Sequence, residues 1–70
     1  MLLSARNRIQ ATVTGVTVGK ATANVELEAG GMRLVASITV EAARDLGLAE
    51  GREVTAVIKA SDVIVAVDRA

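Results

Sequence analysis

The strongest constraint on the fold of this chain is an alternation of apolar and polar residues between positions 21 and 40. Apolar side chains occupy every second position on both sides of a Gly30-Gly31 pair. A period of two is typical of strands with one buried and one solvated face, and adjacent glycines accept the positive φ angles of a tight turn. The stretch therefore predicts a β-hairpin with strands at 21–29 and 32–40.

Three further segments carry strand patterns. The first covers 8–18, and its apolar phase changes at Gly15, which predicts a bulge or a sharp bend there. The last two cover 53–59 and 62–68, joined by a short Ala60-Ser61 link. The final strand is apolar on both faces, whereas a strand of a small barrel buries only its inner face. We therefore expect its outer face to contact another subunit.

A short helix is predicted between the third and fourth strands. Thr39 can cap it, Glu41 suits its first turn, and Gly47 marks its end. Because two turns are not stable alone, we expect this helix to pack against the sheet. Three strands, a short helix and two strands are the element order of a five-stranded OB-like barrel. The sequence thus predicts an all-β fold that forms a single domain over 1–70.

Several classes of function are disfavoured by composition. The chain has no Cys, His or aromatic residue, and its eight basic and eight acidic residues balance. Without Cys or His it lacks thiolate or imidazole metal ligands and a histidine base, so we expect neither a cation site nor an enzyme. Without stacking platforms or basic excess we expect no nucleic-acid partner. No apolar run reaches the roughly 20 residues of a membrane span, so we expect a cytoplasmic protein without a membrane partner.

The short length of the chain and its high apolar content together predict association between copies. Apolar residues make up 51% of the 70 residues, yet a chain of this size buries only about 60% of its surface on folding. We therefore expect a homo-oligomer in which part of the apolar surface lies between subunits. The alternative, a monomer with a largely apolar surface, is disfavoured because extended apolar patches are uncommon on soluble monomers.

Two irregular segments could bind an anion. Ser4-Ala5-Arg6-Asn7 precedes the first strand, and Lys59-Ala60-Ser61-Asp62 lies between the last two. Each combines a cation, a hydroxyl and free backbone N–H groups, which are the groups that hold a small oxyanion. If the two segments converge in the fold, Arg6 and Lys59 together supply two positive charges, which match the charge of a dianion. The alternative, which chemistry alone favours, is that both segments are ordinary polar flanks of strands.

Together with Gly47-Leu48-Ala49-Glu50-Gly51 and the run at 55–63, these two segments make the whole chain similar to the molbindin (Mop) family of small molybdate-binding proteins. The resemblance implies an OB-like, TOBE-type barrel and a homohexamer built as a trimer of dimers. It also implies storage or buffering of molybdate or tungstate in the cytoplasm, at subunit interfaces, with no organic cofactor and no catalysed reaction.

The resemblance also assigns binding residues. A second type of site, near a three-fold axis, would involve the turn Val18-Gly19-Lys20, although a solvated Lys20 is the alternative. Arg8 stands where the family often has Gln, and Ala60 where it often has a hydroxyl residue, so the Ala60 peptide N–H would have to serve. In the interface site the assigned residues are Ser4, Ala5, Arg6, Asn7, Lys59, Ala60 and Ser61, with Thr39 contributed by a neighbouring subunit.

Two other functions are considered. The first is an oxyanion-sensing module that acts through a protein partner, which a pull-down from cell extract would separate from a storage protein. The second is an OB-type nucleic-acid binder, for which the missing aromatic residues and the zero net charge are unfavourable.

Overall fold

The computed structural model of the chain describes Ser4 and residues 6–69. Its strands form one antiparallel sheet in the order β3-β2-β1-β4. A 3₁₀ turn, Ala60–Asp62, follows β4. The elements are β1 (Asn7–Val18), β2 (Thr22–Ala29), β3 (Met32–Thr39), α1 (Val40–Asp45) and β4 (Glu53–Ile58).

The predicted hairpin is confirmed as β2 and β3. The two strands pair without interruption from Thr22 opposite Thr39 to Ala29 opposite Met32. On the solvated face, Arg33 of β3 forms an ion pair with Glu26 of β2. The apolar alternate residues of β2 are buried, so the sequence period selects the core face as expected.

The predicted irregularity near Gly15 is also confirmed. Val13 pairs with Leu27 and Gly15 pairs with Glu26, so Thr14 is the additional residue of a β-bulge. At this bulge the backbone N–H of Val13 donates to the carbonyl oxygen of Arg52, the residue before β4, at 2.9 Å. The irregularity lies where β1 changes partners, because its first half pairs with β4 and its second half pairs with β2.

The core is small and aliphatic. The short helix contributes to it as expected, since its residues Val40 and Ala43 pack with Ala23 of β2. The helix covers six residues rather than the predicted 39–47, and Val40 belongs to it rather than to β3. Among the described residues, no helix is long and apolar enough to cross a bilayer. The buried residues of the main cluster come from β1 and β2 and are Ala11, Val13, Val25, Leu27 and Ala29.

The prediction of a fifth strand at 62–68 is wrong for this chain by itself. Asp62 ends the 3₁₀ turn, and the structure describes 63–69 as a segment without strand pairing. Among the described residues the sheet therefore has four strands, with β3 and β4 at its edges, instead of the predicted five-stranded OB-like barrel. The apolar, largely β-branched sequence favours a strand, but a strand forms only where a neighbour supplies hydrogen bonds.

Candidate functional site

The two candidate anion-binding segments leave the sheet at the same corner. Asn7 begins β1, Ile58 ends β4, and the two residues are paired in the antiparallel register. The side-chain amide of Asn7 donates to the carbonyl oxygen of Ile58 at 3.2 Å. Paired residues on antiparallel strands lie about 5 Å apart. Arg6 directly precedes Asn7 and Lys59 directly follows Ile58, so the two residues start from neighbouring backbone positions. We refer to Ser4, Arg6, Asn7 and Lys59–Ser61 as the corner site.

Hydrogen-bond donors of the corner site come from an irregular backbone. Lys59 is extended, with φ −63° and ψ 138°, and the 3₁₀ turn begins at Ala60. The N–H groups of Asp62 and Val63 donate within this turn, to Lys59 at 2.9 Å and to Ala60 at 3.2 Å. The N–H groups at the start of a helical turn have no partner inside it, so those of Ala60 and Ser61 can serve a ligand. Ala5, the remaining candidate, lies outside the described residues.

The corner site carries exposed positive charge. Ser4, Arg6 and Lys59 are all exposed, whereas Asn7 is half-buried against β4. Among the described residues the ion pair that forms joins Arg33 and Glu26, so neither Arg6 nor Lys59 is neutralised by an ion pair within the chain. Asp62, at the end of the turn, is the carboxylate nearest in sequence. Two unpaired cations with hydroxyl and N–H donors can bind a small dianion.

Thr39, in contrast, lies at the opposite end of the sheet. It ends β3 opposite Thr22, and the neighbouring residue Ala23 pairs with Val18, the last residue of β1. The 12 residues of β1 therefore separate Thr39 from the corner site of its own chain, a path of roughly 36 Å along the strand. Thr39 can complete a corner site only when it comes from another copy of the chain.

Within one chain, Thr39 instead faces the residues proposed for the second site. A shallow polar groove with a volume of about 550 Å³ lies between the β1–β2 turn and α1. The Thr39 hydroxyl accepts the N–H of Ala42 at 3.0 Å, which leaves its own hydrogen free to donate. Val18, beside the groove, is exposed at the end of β1. The groove is lined by Gly19, Lys20, Ala21, Thr39, Val40, Glu41, Arg44 and Asp45.

Sequence reasoning missed the charges that α1 adds to this groove. Arg44 accompanies Lys20, while Glu41 and Asp45 offset both cations. The helical spacing was the available signal, because Arg44 and Asp45 follow Glu41 by three and four positions and so lie near it on the helix surface. The balance of charge makes this groove a weaker candidate for a dianion than the corner site.

The chain matches one family model and is similar to proteins of known name. Residues 3–65 match the family model described as the TOBE domain. The chain is 44% identical to molybdenum-pterin-binding protein 1 of Clostridium pasteurianum over 66 residues, which cover 93% of this chain and 97% of that protein.

Two solved structures are also similar. A molybdate-binding protein from Sporomusa ovata superposes with a TM-score of 0.91 at 38% identity, covering 94% of this chain and 98% of the other. ModG, a cytoplasmic molybdate-binding protein solved with molybdate bound, gives a TM-score of 0.83 at 46% identity, covering 86% of this chain and 43% of the other.

Proposed function

The chain belongs to the TOBE domain family, and we propose that it is a cytoplasmic binding protein that stores or buffers molybdate. In this proposal residues 1–70 form a single binding domain. The domain takes up molybdate or tungstate by hydrogen bonds and ionic contacts, without an organic cofactor and without catalysing a reaction. Its relatives carry names of molybdenum-pterin-binding proteins, and its structural neighbours are described as molybdate-binding proteins.

One observation carries the proposal. The pairing of Asn7 with Ile58 brings the two cation-bearing segments to one corner of the sheet. Asn7 and Ile58 are 51 residues apart in sequence, so their pairing starts Arg6 and Lys59 from neighbouring backbone positions. Both residues are exposed, and neither forms an ion pair with another described residue. Two positive charges balance a tetrahedral dianion, and charge-assisted hydrogen bonds to its oxygens are stronger than neutral ones.

Each residue of the corner site has a role in this proposal. Arg6 and Lys59 supply charge, Ser4 and Ser61 donate hydroxyl hydrogens, and backbone N–H groups of Ala5 and Ala60 complete the shell. Asn7 holds the corner together through Ile58 and offers its remaining amide hydrogen. Because such donors contact only oxygens, selectivity against sulfate comes from cavity size. A larger anion fills a shell in which sulfate leaves the hydrogen bonds too long.

The complete site requires more than one subunit. Thr39 lies at the far end of β1, so its hydroxyl reaches an oxyanion only from a neighbouring copy. We place the ligands at the interfaces of a homohexamer arranged as a trimer of dimers. Val18, Gly19 and Lys20 form the weaker second site. Gly19 and Lys20 line its groove together with Arg44.

Titration calorimetry with molybdate, tungstate and sulfate tests the proposed ligand. We expect heat from molybdate and tungstate with similar affinity, and much weaker binding of sulfate. Absence of heat with molybdate, or equal affinity for sulfate, would contradict the proposal.

Substitutions test which residues carry the site. Arg6→Ala should weaken molybdate binding about tenfold to a hundredfold, because it leaves a bound dianion without one of its charges. Ser4→Ala should weaken it less, since a neutral hydrogen bond contributes less than a charged one. Arg33→Ala is the matched control, because Arg33 is an exposed cation engaged with Glu26 elsewhere on the sheet. Equal losses from all three variants would exclude Arg6 as a ligand.

A further inference from the structure

Arg8 is a third cation close to the corner site. It is the second residue of β1, it is exposed, and it pairs with Val57 of β4. Two steps along the chain span at most about 7 Å, so the Cα atom of Arg8 lies within that distance of Arg6. Val57 is equally close to Lys59, which places Arg8 within about 12 Å of Lys59. Three cations are therefore within electrostatic range of one small ligand at this corner.

No carboxylate of the sheet lies beside Arg8. Among the described residues Arg8 forms no ion pair, and β2 pairs with β1 only from Thr12 onward, so no β2 residue lies opposite it. Glu28 and Glu53 are both paired with Thr12, four positions and about 13 Å along β1 from Arg8. The Glu28 carboxylate also accepts the N–H of Gly31 at 2.7 Å, at the hairpin turn. The charge of Arg8 is therefore not offset within the sheet.

A neutral row of side chains separates Arg8 from these carboxylates. Thr55 of β4 donates its hydroxyl hydrogen to the side-chain oxygen of Gln10 at 2.9 Å, and the two residues are paired in register. Gln10 lies two positions after Arg8 in the same strand, so both side chains are on the same face of the sheet. The polar neighbours of Arg8 on that face are thus uncharged and already bonded to each other.

The net charge at the corner depends on Arg8. Asp62 is the last residue of the 3₁₀ turn that follows Lys59, and its carboxylate offsets one cation. Arg6 and Lys59 combined with Asp62 leave one net positive charge. Arg8 raises the net charge to two, which equals the charge of a tetrahedral dianion.

Arg8 is placed to act through its charge rather than through contact. It belongs to the regular, paired part of β1, whereas the donors of the corner site lie in the irregular segments before Asn7 and after Ile58. A positive charge about 10 Å from a dianion in water favours its binding about fourfold without salt, and favours a monoanion about twofold. The Debye length is about 8 Å at 0.15 M and about 30 Å at 0.01 M ionic strength, so this effect depends on salt.

We propose that Arg8 is a specificity-determining residue of the corner site, whose charge favours dianions at long range without contacting the bound ligand. The inference rests on the proposed binding of molybdate at that site. It adds a residue that strengthens binding of doubly charged oxyanions over singly charged ones, because the Coulomb energy scales with the charge of the ligand. It also adds a salt dependence that contact residues do not share.

Calorimetry with molybdate at two ionic strengths tests this role. At about 10 mM, Arg8→Gln should weaken binding about threefold and Arg8→Glu about eightfold. At about 150 mM the same losses should fall to less than about twofold and to about twofold. Arg8→Lys keeps the charge and should bind as the natural chain does. Arg33→Gln is the matched control, because it removes an exposed cation that is engaged with Glu26 elsewhere on the sheet, and it should change little.

Three results would overturn the proposal. A loss of the same size at both ionic strengths would identify Arg8 as a direct contact. Equal losses from Arg8→Lys and Arg8→Gln would show that the shape of the guanidinium, and not its charge, is recognised. Unchanged affinity of Arg8→Glu at the lower ionic strength would show that its charge does not reach the ligand.

A second measurement does not depend on molybdate. Anionic and neutral nitroxide probes broaden amide NMR signals according to their local concentration, so their ratio reports the electrostatic potential. The anionic probe should be enriched at the amides of Asn7 and Lys59, and Arg8→Gln should reduce that enrichment. A natural chain that shows the enrichment but binds no molybdate would contradict the proposed function and leave the charge effect of Arg8 standing. Enrichment that Arg8→Gln does not alter would overturn the role of Arg8 itself.

Discussion

Gly30 and Gly31 form the turn between β2 and β3 with φ angles of 57° and 84°. These values are typical of a type I′ turn, whose twist matches the twist of the two flanking strands. Nothing lies within 4 Å of a Cβ added at either position, so the backbone conformation alone, and not space, favours glycine here. The positive φ angles of this turn therefore account for the glycine at both positions.

The two turn positions should respond differently to substitution. Gly31→Val should lower the free energy of unfolding by about 1–2 kcal/mol, because a β-branched side chain is strained at positive φ. Gly30→Asn should change it by less than about 0.5 kcal/mol, because Asn-Gly is favoured in type I′ turns. Urea denaturation at matched protein concentration measures both. Equal losses would show that the turn does not adopt these angles in solution.

At the scale of elements, the six-residue helix α1 depends on Thr39 as its N-cap. The Thr39 side chain accepts the N–H of Ala42 and so satisfies one of the free donors at the helix start. The helix in turn buries Val40 and Ala43 against β2. Thr39 therefore has a structural role in its own chain in addition to the proposed ligand contact in another copy.

Substitutions at Thr39 should separate these two roles. Thr39→Ala should lower the free energy of unfolding by about 1 kcal/mol through loss of the cap and should also weaken molybdate binding. Thr39→Asp should keep the cap but weaken binding, because it places a negative charge beside the dianion. Thr39→Ser should preserve both properties. Thermal unfolding without ligand and calorimetry with molybdate distinguish the roles, and unchanged binding by Thr39→Asp would remove Thr39 from the site.

At the scale of the whole molecule, the described residues form an open four-stranded sheet with one short helix. Its sheet has free edges on β3 and β4, and an apolar groove lies between them. A small aliphatic core without aromatic residues provides little stability by itself. Apolar burial between copies would supply the remainder, so folding and association should be coupled.

Coupled folding and association predict a concentration-dependent melting temperature. The Tm of the natural chain should rise with protein concentration, because association stabilises the folded state by mass action. Differential scanning fluorimetry with an extrinsic dye measures the Tm, as the chain lacks aromatic residues. A constant Tm for the natural chain would contradict the coupling.

By itself, the sequence determined the features that arise from local pattern. Alternation predicted the hairpin and its core face, the phase change at Gly15 predicted the bulge, and Thr39 predicted the helix cap. The short motifs also identified the family correctly, which the TOBE match confirms. These features are predictable because side-chain periodicity and backbone preference act between residues close together in the chain.

Only the tertiary structure decided which distant segments meet. The pairing of Asn7 with Ile58 brings together the backbone positions from which Arg6 and Lys59 start, while the length of β1 keeps Thr39 away from that corner. The segment predicted to be the fifth strand pairs with no strand among the described residues. Pairing depends on hydrogen bonds and packing between segments far apart in sequence, or in separate copies. The apolar, largely β-branched residues at 63–67 favour a strand, but they do not determine which neighbour would pair with it.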